Sequence, residues 1–220
     1  MDTENLKKEF CITASSWNKS SQDSKNEFIQ LLKTDVAGAR NFSRLYFEKF
    51  LLIHEIGHVI QDIYSQKGES NQTEAEKEYY ANVFALKYFQ YKKEERYLID
   101  IFKWFDYLLD AYNVKIVFHL DSIDKMLEKY KKDRRTYGAL QFVLVKEAQN
   151  NKMSLQKIVE KISVGELTTL NSSIILRKGL IGNELVSECL ELIFSMNEFY
   201  PRVEVEYGQS LGFQTLERIF

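Results

Sequence analysis

Proline is almost absent from this chain: Pro201 is the one example in 220 residues. Proline removes a backbone donor and clashes with the preceding turn, so its scarcity lifts the strongest bar to long helices. Cysteine is scarce too. Cys11 and Cys189 lie far apart and fit no metal-ligand or redox spacing, which argues against a disulfide framework and for two reduced thiols. No stretch approaches the roughly 20 apolar residues needed to span a bilayer. The opening Met1-Asp2-Thr3-Glu4-Asn5-Leu6-Lys7-Lys8 lacks the apolar run of a secretory signal, so the expectation is a cytoplasmic protein with no membrane contact. A marked charge excess is missing as well: the formal net charge of −2 gives no global attraction to nucleic acid. The short basic run Lys129-Tyr130-Lys131-Lys132 with Arg134 and Arg135 reads as a solvated helix face. Nothing in the composition indicates an oligomeric state.

Apolar residues at 45% and charged residues at 28% give an ordinary globular balance, and the length is enough for a packed core. Apolar positions recur at helical spacing along most of the chain. Leu52, Ile56, Val59 and Ile63 form one stripe, predicting a helix from about Phe42 to Ser65 that ends at Lys67-Gly68-Glu69-Ser70-Asn71. Thr73 with Glu76 three residues on has the pattern of a capping box, opening a second helix that carries Tyr80, Phe84 and Tyr88. A break is expected near Lys92-Lys93-Glu94-Glu95 before the chain continues towards Tyr112. Further helices are expected at about 122–132, 135–149, 154–162 and 183–198. Short strands are expected at Phe10–Thr13, at Val114–Phe118 and at Val203–Tyr207, and the Ser-, Asn- and Lys-rich stretch 12–26 reads as a loop. The chain divides on this reading into residues 1–115 and a helical region 116–220, although no linker composition marks the boundary, and one continuous helical body fits equally.

Two of the three histidines fall within His54-Glu55-Ile56-Gly57-His58. Positions four apart lie on one helix face, so both imidazoles can reach a single cation. Zinc suits them, since it takes imidazole nitrogen readily in tetrahedral sites. Glu55 stands where the general base of a zinc peptidase stands in this pattern. A catalytic site needs a third protein ligand and an open fourth position. The longer pattern with Gly at 61 and His at 64 is not met, because the chain has Gln61 and Tyr64. Glu74, Glu76 and Glu78 are the downstream carboxylates, and spacing alone leaves the choice open. Gly57 costs about 1 kcal/mol inside a helix relative to alanine; close approach of a second helix would account for it, and so would plain tolerance. His119 lies in an apolar stretch and reads as a core or boundary histidine, while Tyr79 and Tyr80 adjoin Glu78 and could donate to a developing charge.

The stretch Glu78-Tyr79-Tyr80-Ala81-Asn82-Val83-Phe84-Ala85 resembles the E-x-x-A-N-x-F-A segment of the ImmA/IrrE family of gluzincin-like metallopeptidases, and with the HE-x-G-H helix the resemblance covers about residues 44–90. It implies Glu78 as the third zinc ligand, with Glu74 and Glu76 as carboxylates of a helix's first turn. Asn82 becomes a group that holds a ligand in orientation. It also implies a zinc metallopeptidase acting on a protein or peptide, often a regulatory partner such as a repressor. The chain lacks the proline that commonly follows the family's second helix, and residues 121–220 match nothing in it. The expected fold is mainly α, with a zincin-like site bridging helices at about 42–65 and 74–90, a small β element and a helical C-terminal half. Two other classes stay open: a zinc-holding scaffold that binds a partner without turnover, and a regulator that contacts DNA through residues 122–150.

Overall fold

A computed structural model describes residues 8–12, 16–64, 72–114, 120–130, 134–163, 172–178, 183–196 and 203–209. The chain is mainly helical. Strand β1 (Lys8–Ile12) and a single 3-10 turn (Trp17–Lys19) lead into α1 (Gln22–Leu32). The side chain of Ser21 caps α1 by accepting the backbone N–H of Ser24, so residues 22–26 are helical and not loop. Their serines and asparagine read as loop-forming because the same side chains that cap a helix also favour turns. Lys33 in the left-handed region (φ 49) turns the chain, and Asp35 then accepts the Gly38 N–H at 2.7 Å to start α2 (Val36–Leu45). The helix expected from Phe42 therefore begins at Val36. It continues through a π-helical turn (Tyr46–Phe50) into α3 (Leu51–Tyr64).

Both bonds of the capping box form at the start of α4 (Glu74–Tyr91). Thr73 Oγ1 accepts from Glu76 N at 3.2 Å, and Glu76 Oε2 accepts from Thr73 N at 2.9 Å. The break after Tyr91 also falls where expected, with Lys93 at φ 57 before α5 (Glu95–Ala111). Three helices follow: α6 (Leu120–Tyr130), α7 (Arg134–Ala148) and α8 (Leu155–Ile162), the last capped by Ser154. Strand β2 (Ser172–Lys178), α9 (Asn183–Met196) and β3 (Val203–Gln209) complete the described chain. The strands form one parallel sheet in the order β1-β2-β3, with Lys8 opposite Ser172 and Ser172 opposite Val203. Strand β2 lay in none of the expected segments. The strand expected over 114–118 lies, apart from Val114, outside the described residues, as does His119.

The core is aromatic and spans both expected parts of the chain. Phe28, Phe42, Phe47, Phe50, Phe84, Phe89 and Phe105 are fully buried, and the same cluster takes in Phe142, Ile158, Val186 and Ile193. Phe142 stacks on Phe105 at 5.1 Å and meets Tyr46 edge-on at 5.7 Å, tying α7 to α5 and to the π turn. A smaller cluster of Ala75, Ile123, Leu127, Leu140 and Leu144 joins α4 to α6 and α7. The boundary at 115–116 therefore does not separate two cores. Helix α4 is the central element: residues 81–86 are all buried, because α3 packs on it from one side and α6, α7 and α8 from others. That all-round burial explains why α4 is not cleanly amphipathic. Among the described residues no helix is long and apolar enough to cross a membrane.

Helix α3 meets α4 at Gly57. A Cβ there would lie 3.0 Å from the Ala81 Cα, 3.2 Å from the Ala81 Cβ and 3.3 Å from the Phe84 ring. Ala81 Cα is backbone and Phe84 is fully buried, so neither can move aside cheaply. Alanine at 57 would gain about 1 kcal/mol of helix propensity, whereas overpacking a tight contact costs about 1–3 kcal/mol. The Gly57→Ala variant is expected to unfold a few degrees lower than wild type and to bind metal more weakly, as thermal melting with and without metal will read. A variant that melts higher and binds metal unchanged would show the approach to be loose.

Candidate metal centre

Helix α3 presents His54 and His58 one turn apart, and α4 brings Glu78 to meet them. The three side chains converge so that His54 Nε2, His58 Nε2 and a Glu78 carboxylate oxygen all lie within 4.8 Å of one another. The separations are 3.0 Å between the two Nε2 atoms, 3.3 Å from His54 Nε2 to Glu78 Oε2 and 3.5 Å from His58 Nε2 to the same oxygen. Ligands about 2.0–2.1 Å from a tetrahedral zinc ion stand about 3.3–3.4 Å apart. The triangle is small enough for its three side chains to hold one metal ion. His54, Glu78 and Asn82 are buried, while His58 and Glu55 are half-buried.

The remaining imidazole nitrogens are held. His54 Nδ1 lies 2.8 Å from Asn82 Oδ1, and His58 Nδ1 lies 2.9 Å from Gln61 Oε1. Each Nδ1–H donates to an amide oxygen, which leaves the Nε2 lone pair facing the centre, the tautomer a metal ligand needs. Gln61 in turn donates from Nε2 to the Lys77 carbonyl at 3.0 Å, bracing α3 against α4. The Asn82 Nδ2 group has no partner among the described residues. A buried amide left half-satisfied costs about 1–3 kcal/mol, a cost consistent with Asn82 serving to orient His54. Thus Asn82 lies against His54. Gln61, three residues after His58 on the same helix face, entered the sequence reading only as the residue that breaks the longer zincin pattern, although its spacing carries the signal.

Two tyrosines of the site were not foreseen. Tyr137 on α7 donates its hydroxyl to Glu78 Oε1 at 3.4 Å. Tyr46 in the π turn is buried, and burial followed by the charges of Glu78 and Glu55 pushes its phenol far up. No local pattern links positions 46 and 137 to the motif. Tyr79, by contrast, accepts from Asn151 at 3.3 Å, and Glu76 is taken up by the helix cap, while Glu74 is exposed. Among the described residues the set His54, His58 and Glu78 is the one group of three His, Cys, Asp or Glu side chains so placed. The basic run from 129 to 135 falls mostly on residues whose side chains are not described.

No family model, curated protein or solved structure matches the chain. The site's chemistry therefore rests on its own geometry.

Without a metal, a proton holds the centre together. Burial alone would lower the His58 pKa, but the hydrogen bond and charge of Glu78, the charge of Glu55 and the Gln61 contact outweigh it and raise it to about 9. Burial acts to raise the Glu78 carboxyl, and the hydrogen bonds and charges of His54 and His58 overcome that, holding it well below the usual carboxylate range. A raised imidazolium contributes stability that is full below the ordinary histidine value near 6.5 and is lost as pH rises through about 9. A metal needs the lone pair that this proton occupies, so binding releases one proton. Zinc affinity of the metal-free chain is expected to rise about tenfold per pH unit from neutrality to pH 9 and then level off. Competition against a chromophoric chelator across that range measures it, and a flat profile contradicts the assignment.

Substitution separates the three carboxylates. Glu78→Ala is expected to weaken zinc binding by more than the roughly 10–100-fold typical of losing an outer hydrogen-bond partner. Glu74→Ala and Glu76→Ala should retain zinc, with Glu76→Ala losing about 1 kcal/mol of stability through the cap. Metal analysis of the three purified variants decides the ligand.

Proposed function

We propose that the chain is a zinc-dependent peptidase, related to the ImmA/IrrE metallopeptidases, that cleaves a protein substrate with a regulatory role. One observation carries the reading: two imidazoles and a carboxylate converge on a single point while a further carboxylate, Glu55, stands between the two histidine positions without being one of the three. A purely structural zinc site is usually closed by four protein ligands, whereas three ligands leave a position for water or substrate. Zinc, when bound, would supply Lewis-acid polarisation of the scissile carbonyl and acidify water.

The chain's own residues would do the rest. Glu55 makes no hydrogen bond or ion pair among the described residues, so its carboxylate is free to accept a proton. It would take that proton from water as the oxygen adds to the carbonyl carbon. It would then return the proton to the amide nitrogen as the carbon–nitrogen bond breaks. His54 and His58 would keep their orientation throughout, their Nδ1–H groups committed to Asn82 and Gln61. Support for an extended peptide as substrate comes from the sheet: among the described residues β1 is the outer strand on one side, and it packs against α3. A peptide that adds alongside such a strand gains backbone hydrogen bonds and is drawn out straight.

The deciding variant is Glu55→Gln, which keeps size and polarity but accepts no proton. It is expected to fold and to hold zinc at wild-type stoichiometry. Cleavage of a protein substrate that the wild type cuts should fall by about 10²–10⁴-fold. Retained cleavage by the glutamine variant removes Glu55 as base. A wild type that binds zinc and cleaves no protein or peptide offered to it points instead to a zinc-holding scaffold.

A further inference from the structure

We infer that Tyr137, contributed by α7 from the C-terminal part of the chain, is a positioning residue that keeps Glu78 a one-oxygen ligand. The inference rests on reading His54, His58 and Glu78 as a metal centre, and it assigns α7 a part in building that centre.

The two oxygens of Glu78 have different neighbours. Oε2 faces both imidazoles, at 3.3 and 3.5 Å from their Nε2 atoms, while Oε1 is turned to the Tyr137 hydroxyl at 3.4 Å. The phenol is itself placed from two directions. Its ring packs on the cluster of Ala75, Ile123, Leu127, Leu140 and Leu144, and the Gln141 side chain, one turn further along α7, hydrogen-bonds its oxygen. Helix α7 is in turn fixed to α4, the helix that carries Glu78. A hydroxyl so anchored acts on the carboxylate rather than following it. At 3.4 Å the bond is long compared with about 2.7–2.8 Å for an optimal hydroxyl donor. Its weight in this site is therefore less its strength than the side on which it stands.

The chemical consequence is in the coordination number. A carboxylate with both oxygens free can close on a cation through the pair of them, filling the position that an open catalytic site keeps for water or substrate. A donor on Oε1 opposes that closure and leaves Oε2 as the ligand atom. Partners of this kind fix ligand orientation and typically matter by about 10–100-fold in metal affinity.

Cobalt(II) titrated into the metal-free full chain is the probe, because its visible absorption is strong in four-coordinate sites and weak in five- or six-coordinate ones. Tyr137→Phe keeps the ring in the cluster and removes only the hydroxyl, so the unfolding temperature of the metal-free variant should change little. Cobalt affinity is expected to fall about 10–100-fold, and the absorption of the saturated variant should weaken as Glu78 closes on the ion through both oxygens. A variant that binds cobalt with wild-type affinity and the wild-type spectrum overturns the role of Tyr137 and leaves the metal centre standing. A wild type that binds no cobalt overturns the centre itself. Should phenylalanine at 137 unfold the chain, replacing Tyr137 with 3-fluorotyrosine answers in the intact fold: a fluorine resonance that shifts as zinc is added supports the contact with Glu78, and one that stays fixed overturns it.

Discussion

The backbone separation between α3 and α4 at Gly57 and Ala81 is the constraint on which the site depends. His54, His58 and Gln61 stand on one of these helices, and Glu78, Asn82 and the Lys77 carbonyl on the other. The distances from both imidazoles to Glu78, from His54 to Asn82 and from Gln61 to Lys77 are thus distances between two helices. Metal–ligand lengths tolerate only about 0.2 Å, and hydrogen bonds weaken steeply once misaligned. One extra methyl group at the contact would use up that tolerance. A glycine that is locally unfavourable in a helix is in this way globally required, and the Asn82–His54 and Gln61–Lys77 bonds fasten the spacing it allows.

The surroundings raise the stakes of that spacing. The charge of Glu78 reaches the buried Tyr46 phenol, which belongs to an aromatic cluster with Phe42, Phe50, Phe105 and Phe142. In such a medium charges interact far more strongly than in water, and an unpaired one is costly. His58 and Glu78 answer this by pairing when no metal is bound. The π turn at Tyr46–Phe50 directly before α3 belongs to the same arrangement. A widened turn shifts the side chains that follow relative to those that precede it, and such turns concentrate at functional sites.

What could be read from the sequence was what is local. Four-residue spacing placed His54 and His58 together, and the Thr73–Glu76 pattern marked the start of α4 to the residue. The glycine in the motif pointed to a close helix, although tolerance explained it equally until the Ala81 contact was seen. Choosing Glu78 over Glu74 and Glu76 took the resemblance around Ala81 and Asn82, because on spacing alone the three were equivalent. The start of the first long helix was misjudged: Asp35 as a cap and the π turn were hidden behind a periodicity that begins convincingly only later. Strand β2 and Tyr137 escaped altogether, since their partners lie far away in the chain. Periodicity reports which side of an element is buried, never what buries it.

The sheet has a temporal consequence. Strand β1 ends at residue 12, and its partner β2 begins only at residue 172. The three side chains of the candidate centre, in contrast, all lie between residues 54 and 78, on two successive helices. Closing a short loop between neighbouring helices takes far less time than pairing distant strands. On a ribosome adding about 5–20 residues per second, β1 waits roughly 10–30 s for β2 to emerge. The helix pair that carries these side chains is complete long before then, so in newly made chains the candidate centre can form while β1 is still unpaired, an exposed edge of the kind that invites association with other chains.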